Sequence, residues 1–382
     1  MPEQIMRAYP LALFLALPLS DQAALAKTTT RVGPTVSHTH CAGTVALLTG
    51  RWVGIELRGT GEKPPAPGIE IVARVVDAST ECMETVLWRG PMPPMEYPSD
   101  QLTWAQTKDG RWMLGATYQT GTGTGLELWS GLAMAVTGDT VQASTPTHTV
   151  VTSVALDNLQ SQAAGGGAKV IGLLSCQLFA WGANVFAVGS GTDNARAIQD
   201  GGGQVWIAKL PEAGAGVFSP TGGVTQIEGH SIAEGVDPRI VVSDNEAVLA
   251  IRAPFSRADA DGPVRFYRSK DLQQWAPDMD MWQFVHARNN YSITSGVGIV
   301  WLITTTGDVP PTATESARPA VGLWSFDAAR KRWSECTALD PKQYEVRSAA
   351  DRLWLISFDA SLAQAGVLFF TDTKGVLQRR RP

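Results

Sequence analysis

Three stretches of this chain superimpose without a gap: "RIVVSDNEAVLAI" from Arg239, "YSITSGVGIVWLI" from Tyr291 and "YEVRSAADRLWLI" from Tyr344. Each reads as a short strand, a serine, a turn and a second strand. Ser243, Ser295 and Ser348 share one place, and Leu249, Trp301 and Trp354 share another. Successive copies start 52 and 53 residues apart. A lone hairpin cannot bury its apolar residues, so a period of this length calls for copies that pack on one another, as in a propeller or a repeat array.

Looser copies lie upstream, in "GTVALLTGRWVGIEL" from Gly43, "TWAQTKDGRWMLG" from Thr103 and "CQLFAWGANVFAV" from Cys176. After every hairpin comes a loop and a third strand: "GIEIVARVVD", "LELWSG", "QVWIAKL", "VRFYRSKD", "VGLWSFD" and "VLFFTD". Segments such as "METVLW", "KRWSEC" and "GVLQRR" supply a fourth. The pattern predicts an all-β chain folded as a six-bladed β-propeller of four-stranded antiparallel blades, occupying 27–382 as one domain. Frequent glycine and proline, 38 and 23 residues, punctuate the strands, and no long helical periodicity competes.

Ahead of this domain, Arg7 precedes the apolar run "AYPLALFLALPLS", and Ala24-x-Ala26 stands before Lys27. Residues 1–26 read as a secretory signal peptide, which implies a secreted or periplasmic protein. The run is too short and too broken by proline to span a bilayer. In an oxidising compartment Cys41, Cys82, Cys176 and Cys336 are candidates for two disulfides, with a buried free thiol as the alternative for each. A net charge of -5 with no basic stripe leaves no nucleic-acid footprint. The spacing of cysteines and histidines suits no metal, and no cofactor motif is present: the glycines of "GTGTGLELW" and "GGGQVW" precede strands and open no helix.

Ser269-x-Asp271 followed by Trp275 falls at the turn between the third and fourth strands of the fourth repeat, and Ser325-x-Asp327 with Trp333 repeats it one blade later. Thr371, Asp372 and Gly375 form a degraded third copy. Recurrence at equivalent positions marks a structural device, because a catalytic residue is needed once. A carboxylate there accepts backbone N–H bonds while the tryptophan covers the apolar gap beneath.

Over residues 237–277 the sequence "DPRIVV", "AVLAIRAPFSRADADGPVRFYRSKDLQQWAP" resembles the sialidase (neuraminidase) superfamily of Asp-box propellers. The resemblance implies that Arg239 helps to clamp a substrate carboxylate and that Asp259 or Asp261 serves as acid/base, in a family that uses a tyrosine paired with glutamate as nucleophile. The box lacks its usual glycine, and Gln273 stands nearby instead. "AEGVDPRI" with "RSKDLQQW" is also similar to the five-bladed furanosidases and the mannoside phosphorylases, which would make Glu234 or Asp237 the proton donor.

In a propeller, the loops entering each first strand and those joining second to third strands share one face. Here they are enlarged around the fourth repeat: Gly189 to Gly203, Ile227 to Pro238, Ala253 to Pro263 and Thr306 to Pro319. They carry Glu228, His230, Glu234, Asp237, Arg239, Arg257, Asp259, Asp261 and Arg318. Mixed carboxylates and arginines suit a polyhydroxylated or anionic ligand, since arginine forks a carboxylate with two bonds. Tyr291 and Tyr344 hold Arg239's place in their own repeats and are candidates for the same mouth, with packing between blades as the alternative. Two function classes follow. One is a propeller that binds or hydrolyses glycans, an acidic sugar among them, as a glycoside hydrolase of sialidase-like type. The other is a non-catalytic propeller that presents this face to a protein or cell-wall partner.

Overall fold

The computed structural model describes residues 29–31, 40–49, 51–60, 68–75, 83–91, 102–120, 123–151, 172–192, 203–210, 217–218, 223–226, 228–243, 246–252, 261–262, 264–283, 287–296, 299–309, 318–327, 330–339, 344–349, 352–357, 368–371 and 377–380. The signal-peptide segment, Cys82, Arg257 and Asp259 lie outside the described residues.

Nearly every described element is a strand, the exception being one turn of 3-10 helix at Met281–Gln283. The described strands form six successive meanders, numbered here as sheets 1 to 6, and a separate two-stranded hairpin at Met134–Ala143; pairing within the sheets is antiparallel except where Thr147–Val151 of sheet 2 runs parallel to Gly223–Gln226. Their first strands are His40–Leu48, Thr103–Gln106, Gly172–Trp181, Val236–Ser243, Ala287–Gly296 and Tyr344–Ala349, which are the six hairpin starts expected from the repeat. Each first strand lies against the first strand of the next sheet, from sheet 1 through sheet 6. Sheets arrayed edge-inward around shared first strands are the architecture of a β-propeller.

The cores lie between sheets, as alternation along each strand requires. Ile55, Leu57, Ile69 and Ile71 of sheet 1 pack on Trp112, Leu114 and Trp129 of sheet 2. Leu126 and Leu128 of sheet 2 meet Leu178, Ala187 and Trp206 of sheet 3. Val188, Val205 and Ile207 of sheet 3 meet Ile240, Leu249 and Ile251 of sheet 4. Val248, Val264 and Phe266 of sheet 4 then meet Ile293 and Phe326 of sheet 5. Hydrogen bonds stitch the first strands together: Leu178 N donates to Thr103 Oγ1 (2.7 Å). Gln177 pairs its amide with the backbone of Ile240 in both directions, at 2.9 Å each.

Sheet 1 differs on the face turned away from sheet 2. There Arg58 reaches Glu70 (2.9 Å) and Glu84 (2.8 Å), while Arg74 lies 3.3 Å from Glu84 and 3.9 Å from Glu56. Register explains the convergence, since Arg58 is the cross-strand partner of Glu70.

Two expectations need correction. The stretch from Ile227 to Pro238, read as an enlarged loop, is mostly sheet: Glu228–Glu234 is the fourth strand of sheet 3, and Val236 already begins sheet 4. Its backbone finds partners along Gln204–Lys209, a neighbour distant enough in sequence that local composition does not reveal it. Cys176 is a buried free thiol, so the expected pair of disulfides does not form as such. It sits in the apolar layer between sheets 2 and 3, where no second cysteine is described. Cys41 and Cys336 lie on strands. Among the described residues, no helix is long and apolar enough to cross a membrane.

Candidate functional site at the mouth between sheets 4 and 5

Several first strands are irregular at the end where the chain enters them. The pairing register shifts between His40 and Ala42, between Leu173 and Ser175, between Val236 and Arg239, and between Arg288 and Tyr291. Bulges collect beside binding and catalytic sites because they re-aim side chains.

In sheet 4 the bulge is built from "VDPR". Val236 pairs with Arg252 and Arg239 with Ala250, so Asp237 and Pro238 are the residues the shift accommodates. Proline has no N–H to give a ladder, which makes this the place on the strand where it fits. The consequence is a shared face. Arg239 lies on the side of Ala250, and Arg252 lies on the side of its other partner, Val264. Ala250 and Val264 both pack toward sheet 5, so the two arginines stand on the sheet-5 side of sheet 4, at the mouth end. Both are half-buried. Arg239 Nη1 donates to Pro238 O (3.0 Å).

Gly235 joins the last strand of sheet 3 to the first of sheet 4. Its φ of +148° belongs to glycine, and an added Cβ would meet Ile251 Cγ2 at 2.2 Å and Arg252 O at 2.7 Å. Its N–H donates to Gly203 O (2.9 Å). Glu234 is exposed and is the cross-strand partner of Gln204.

Asp261–Gly262 forms a short strand against the first strand of sheet 5, with Asp261 opposite Arg288 and Gly262 opposite Ala287. Asp261, the last residue of the acidic stretch "RADAD", is therefore on the inner edge of the neighbouring sheet. Tyr291 lies three positions beyond Arg288, opposite Thr304. Tyr344 opens the first strand of sheet 6, opposite Ser357. In the ladders, Asp237 and Arg239 thus stand at the entering end of the first strand of sheet 4, Asp261 and Tyr291 at that of sheet 5, and Tyr344 at that of sheet 6.

Sequence reasoning missed Arg252. The signal was an arginine closing an otherwise apolar second strand, "EAVLAIR". Its counterpart in sheet 1 is Arg58, which reaches carboxylates on the next two strands. Cys176 is not a nucleophile for this mouth: burial pushes its thiol up to about 12, against the pull of the Arg239 charge. Among the described residues, no group of histidine, cysteine or carboxylate side chains could hold a metal ion.

The Asp271 turn lies at the opposite end of sheet 4. Asp271 Oδ1 accepts from Gln273 N (2.8 Å), Gln274 N (2.9 Å) and Ser269 Oγ (3.1 Å). Ser269 Oγ accepts from Leu272 N (2.8 Å), and Trp275 Nε1 donates to Leu272 O (3.1 Å). Backbone N–H bonds from Gln274 and Gln273 hold the Asp271 pKa below its ordinary value. In the neighbouring copy Trp333 donates to Met281 O (3.0 Å), so this tryptophan ties sheet 5 to the segment after sheet 4.

No family model and no curated protein matches the chain. Several solved structures are similar to it. A levansucrase variant from B. megaterium superposes with a TM-score of 0.47 at 12% identity, covering 82% of this chain and 87% of that one. Trypanosoma rangeli sialidase in complex with the inhibitor DANA gives a TM-score of 0.48 at 10% identity, covering 90% of this chain. This chain spans 54% of that sialidase. Bacillus subtilis levansucrase in complex with oligosaccharides gives 0.45 at 9% identity, over 78% and 84% of the two chains. A shared fold at such identities does not specify chemistry. The class defined by topology and site is a β-propeller with a charged mouth between its fourth and fifth sheets.

Proposed function

We propose that this protein binds an acidic glycan at the mouth between sheets 4 and 5 and acts on it as a glycoside hydrolase of sialidase-like type. The observation that carries the reading is the placement of Arg239 and Arg252 on one face of sheet 4, the face turned to sheet 5, whose first strand Asp261 joins. Two guanidinium groups on one wall match a carboxylate, and the aspartates of this part of the chain match the acid/base work of glycoside cleavage. In this reading Arg239 and Arg252 recognise the anionic sugar, with Arg257 as a further ligand-binding residue. Asp259 or Asp261 supplies the acid/base, and Tyr291 and Tyr344 line the far side. Should the ligand be a neutral sugar, Glu234 and Asp237 take the acid/base role and the arginines lose importance.

The test is a panel of chromogenic sialosides, arabinosides and mannosides offered to the purified protein, with Arg239→Ala and Asp261→Asn beside it. Turnover of sialosides alone, lost in both variants, is expected. Turnover of a neutral glycoside that survives Arg239→Ala would assign the neutral-sugar alternative. Silence throughout, in a protein that is folded, would leave the partner-binding propeller.

A further inference from the structure

His230 is absent from the mouth, although it belongs to a stretch rich in candidate residues. It lies on the fourth strand of sheet 3, opposite Ile207, and so faces sheet 4. Its ring rests against the backbone of Leu272 and within the field of the Asp271 carboxylate. Leu272 is held at a φ of +63° with its side chain buried in the layer between sheets 3 and 4. The turn is thus wedged into the seam, with the imidazole as its abutment. Nε2 is buried and has no hydrogen-bond partner. A neutral imidazole tolerates this, because an unprotonated nitrogen is only an unused acceptor, whereas a protonated one is an unsatisfied charged donor.

We propose that His230 makes the seam between sheets 3 and 4 an acid-sensitive joint: neutral, it seats the Ser269–Trp275 turn against sheet 3, and protonated, it releases that turn. The groups around it decide the sign. From the turn come Asp271, whose charge favours protonation, and Lys270, which is exposed; from sheet 3 come the exposed Lys209 on the neighbouring strand and Glu228 on its own. Burial outweighs the help of Leu272 and Asp271 and holds the pKa of His230 below its ordinary 6.5. A base with a lowered pKa in the folded state binds its proton more tightly when released. The joint is therefore intact above about pH 6.5, and it weakens as pH falls from there through the folded pKa.

The joint can be tested without a ligand. Amide exchange of the peptide spanning 269–275, corrected for the intrinsic pH dependence of exchange, should lose up to about tenfold in protection per pH unit between pH 6.5 and the folded pKa. The same window should be flat in His230→Gln. Exchange at the imidazole C–H, followed by mass spectrometry on the unmodified protein, should give His230 a midpoint below 6.5, and it keeps the proposal decidable if the variant does not fold. A midpoint at or above 6.5, or protection in the turn that is level between pH 7.5 and 5.5, overturns it.

Discussion

Gly235 stands where the strand ends of the mouth meet, and its backbone conformation leaves no room for a side chain. Gly235→Ala should cost about 1–3 kcal/mol for the strained φ alone. It should also displace Arg252, whose carbonyl lies 2.7 Å from the added Cβ position. A lowered melting temperature together with altered reactivity of Arg252 toward an arginine-selective dicarbonyl reagent is expected. An unaltered Arg252 would show that the close approach has no bearing on the mouth. Asp271 gives the contrasting case. Its carboxylate and both glutamine N–H groups it binds are exposed, so water can take over when it is removed. Asp271→Ala is expected to lower stability modestly above its ordinary pKa of 3.8, where the depressed carboxylate contributes, and to change nothing once pH falls through the folded value. This turn was legible in the sequence because its bonds span two or three residues. Arg252 was not, because its significance comes from a register with Val236 that a bulge shifts.

At the scale of strands and sheets, the polar face of sheet 1 offers the sharpest energetic test. Arg58 is only 11% exposed as a side chain, and Glu70 and Glu84 are 5% and 8%. Burial works against the Glu70 charge, yet hydrogen bonds from Arg89 and Arg58 outweigh it and hold its pKa below the ordinary 4.5. Stability from this carboxylate is present above that value and is lost as pH falls through the folded one, a lower window than that of His230. Arg58→Met should remove the cation that Glu70 and Glu84 share, leave Glu70 to the exposed Arg89 and Glu84 to Arg74, and cost up to about 3–5 kcal/mol. Adding Glu84→Gln should recover part of the loss. A loss below about 1 kcal/mol, as for an exposed pair, would show that the cluster is solvated. The strands themselves were largely legible, since apolar alternation and the repeat mark them. Glu228–Glu234 was not: "EGHSIAE" is polar and interrupted by glycine, and only its ladder with Gln204–Lys209 makes it a strand.

Across the whole molecule, the contacts between successive sheets 1 to 5 are apolar layers, and a buried charge cluster occupies one face of sheet 1. The repeat in the sequence foretold this arrangement because each hairpin needs a neighbour to bury it. It did not foretell that Asp261–Gly262 would join the inner edge of sheet 5, because that pairing is set by the neighbouring sheet and not by local composition. The mouth is the central claim, and binding to an array of sialylated, uronate-bearing and neutral glycans tests it most directly, with wild type beside Arg239→Ala and Arg239→Lys. Retention of acidic glycans alone is predicted, with at least a tenfold loss in Arg239→Ala, no rescue by lysine because it lacks the two-pronged donor, and melting temperatures within a few degrees of one another. Equal retention by wild type and Arg239→Ala, or no retention of any acidic glycan, would contradict it.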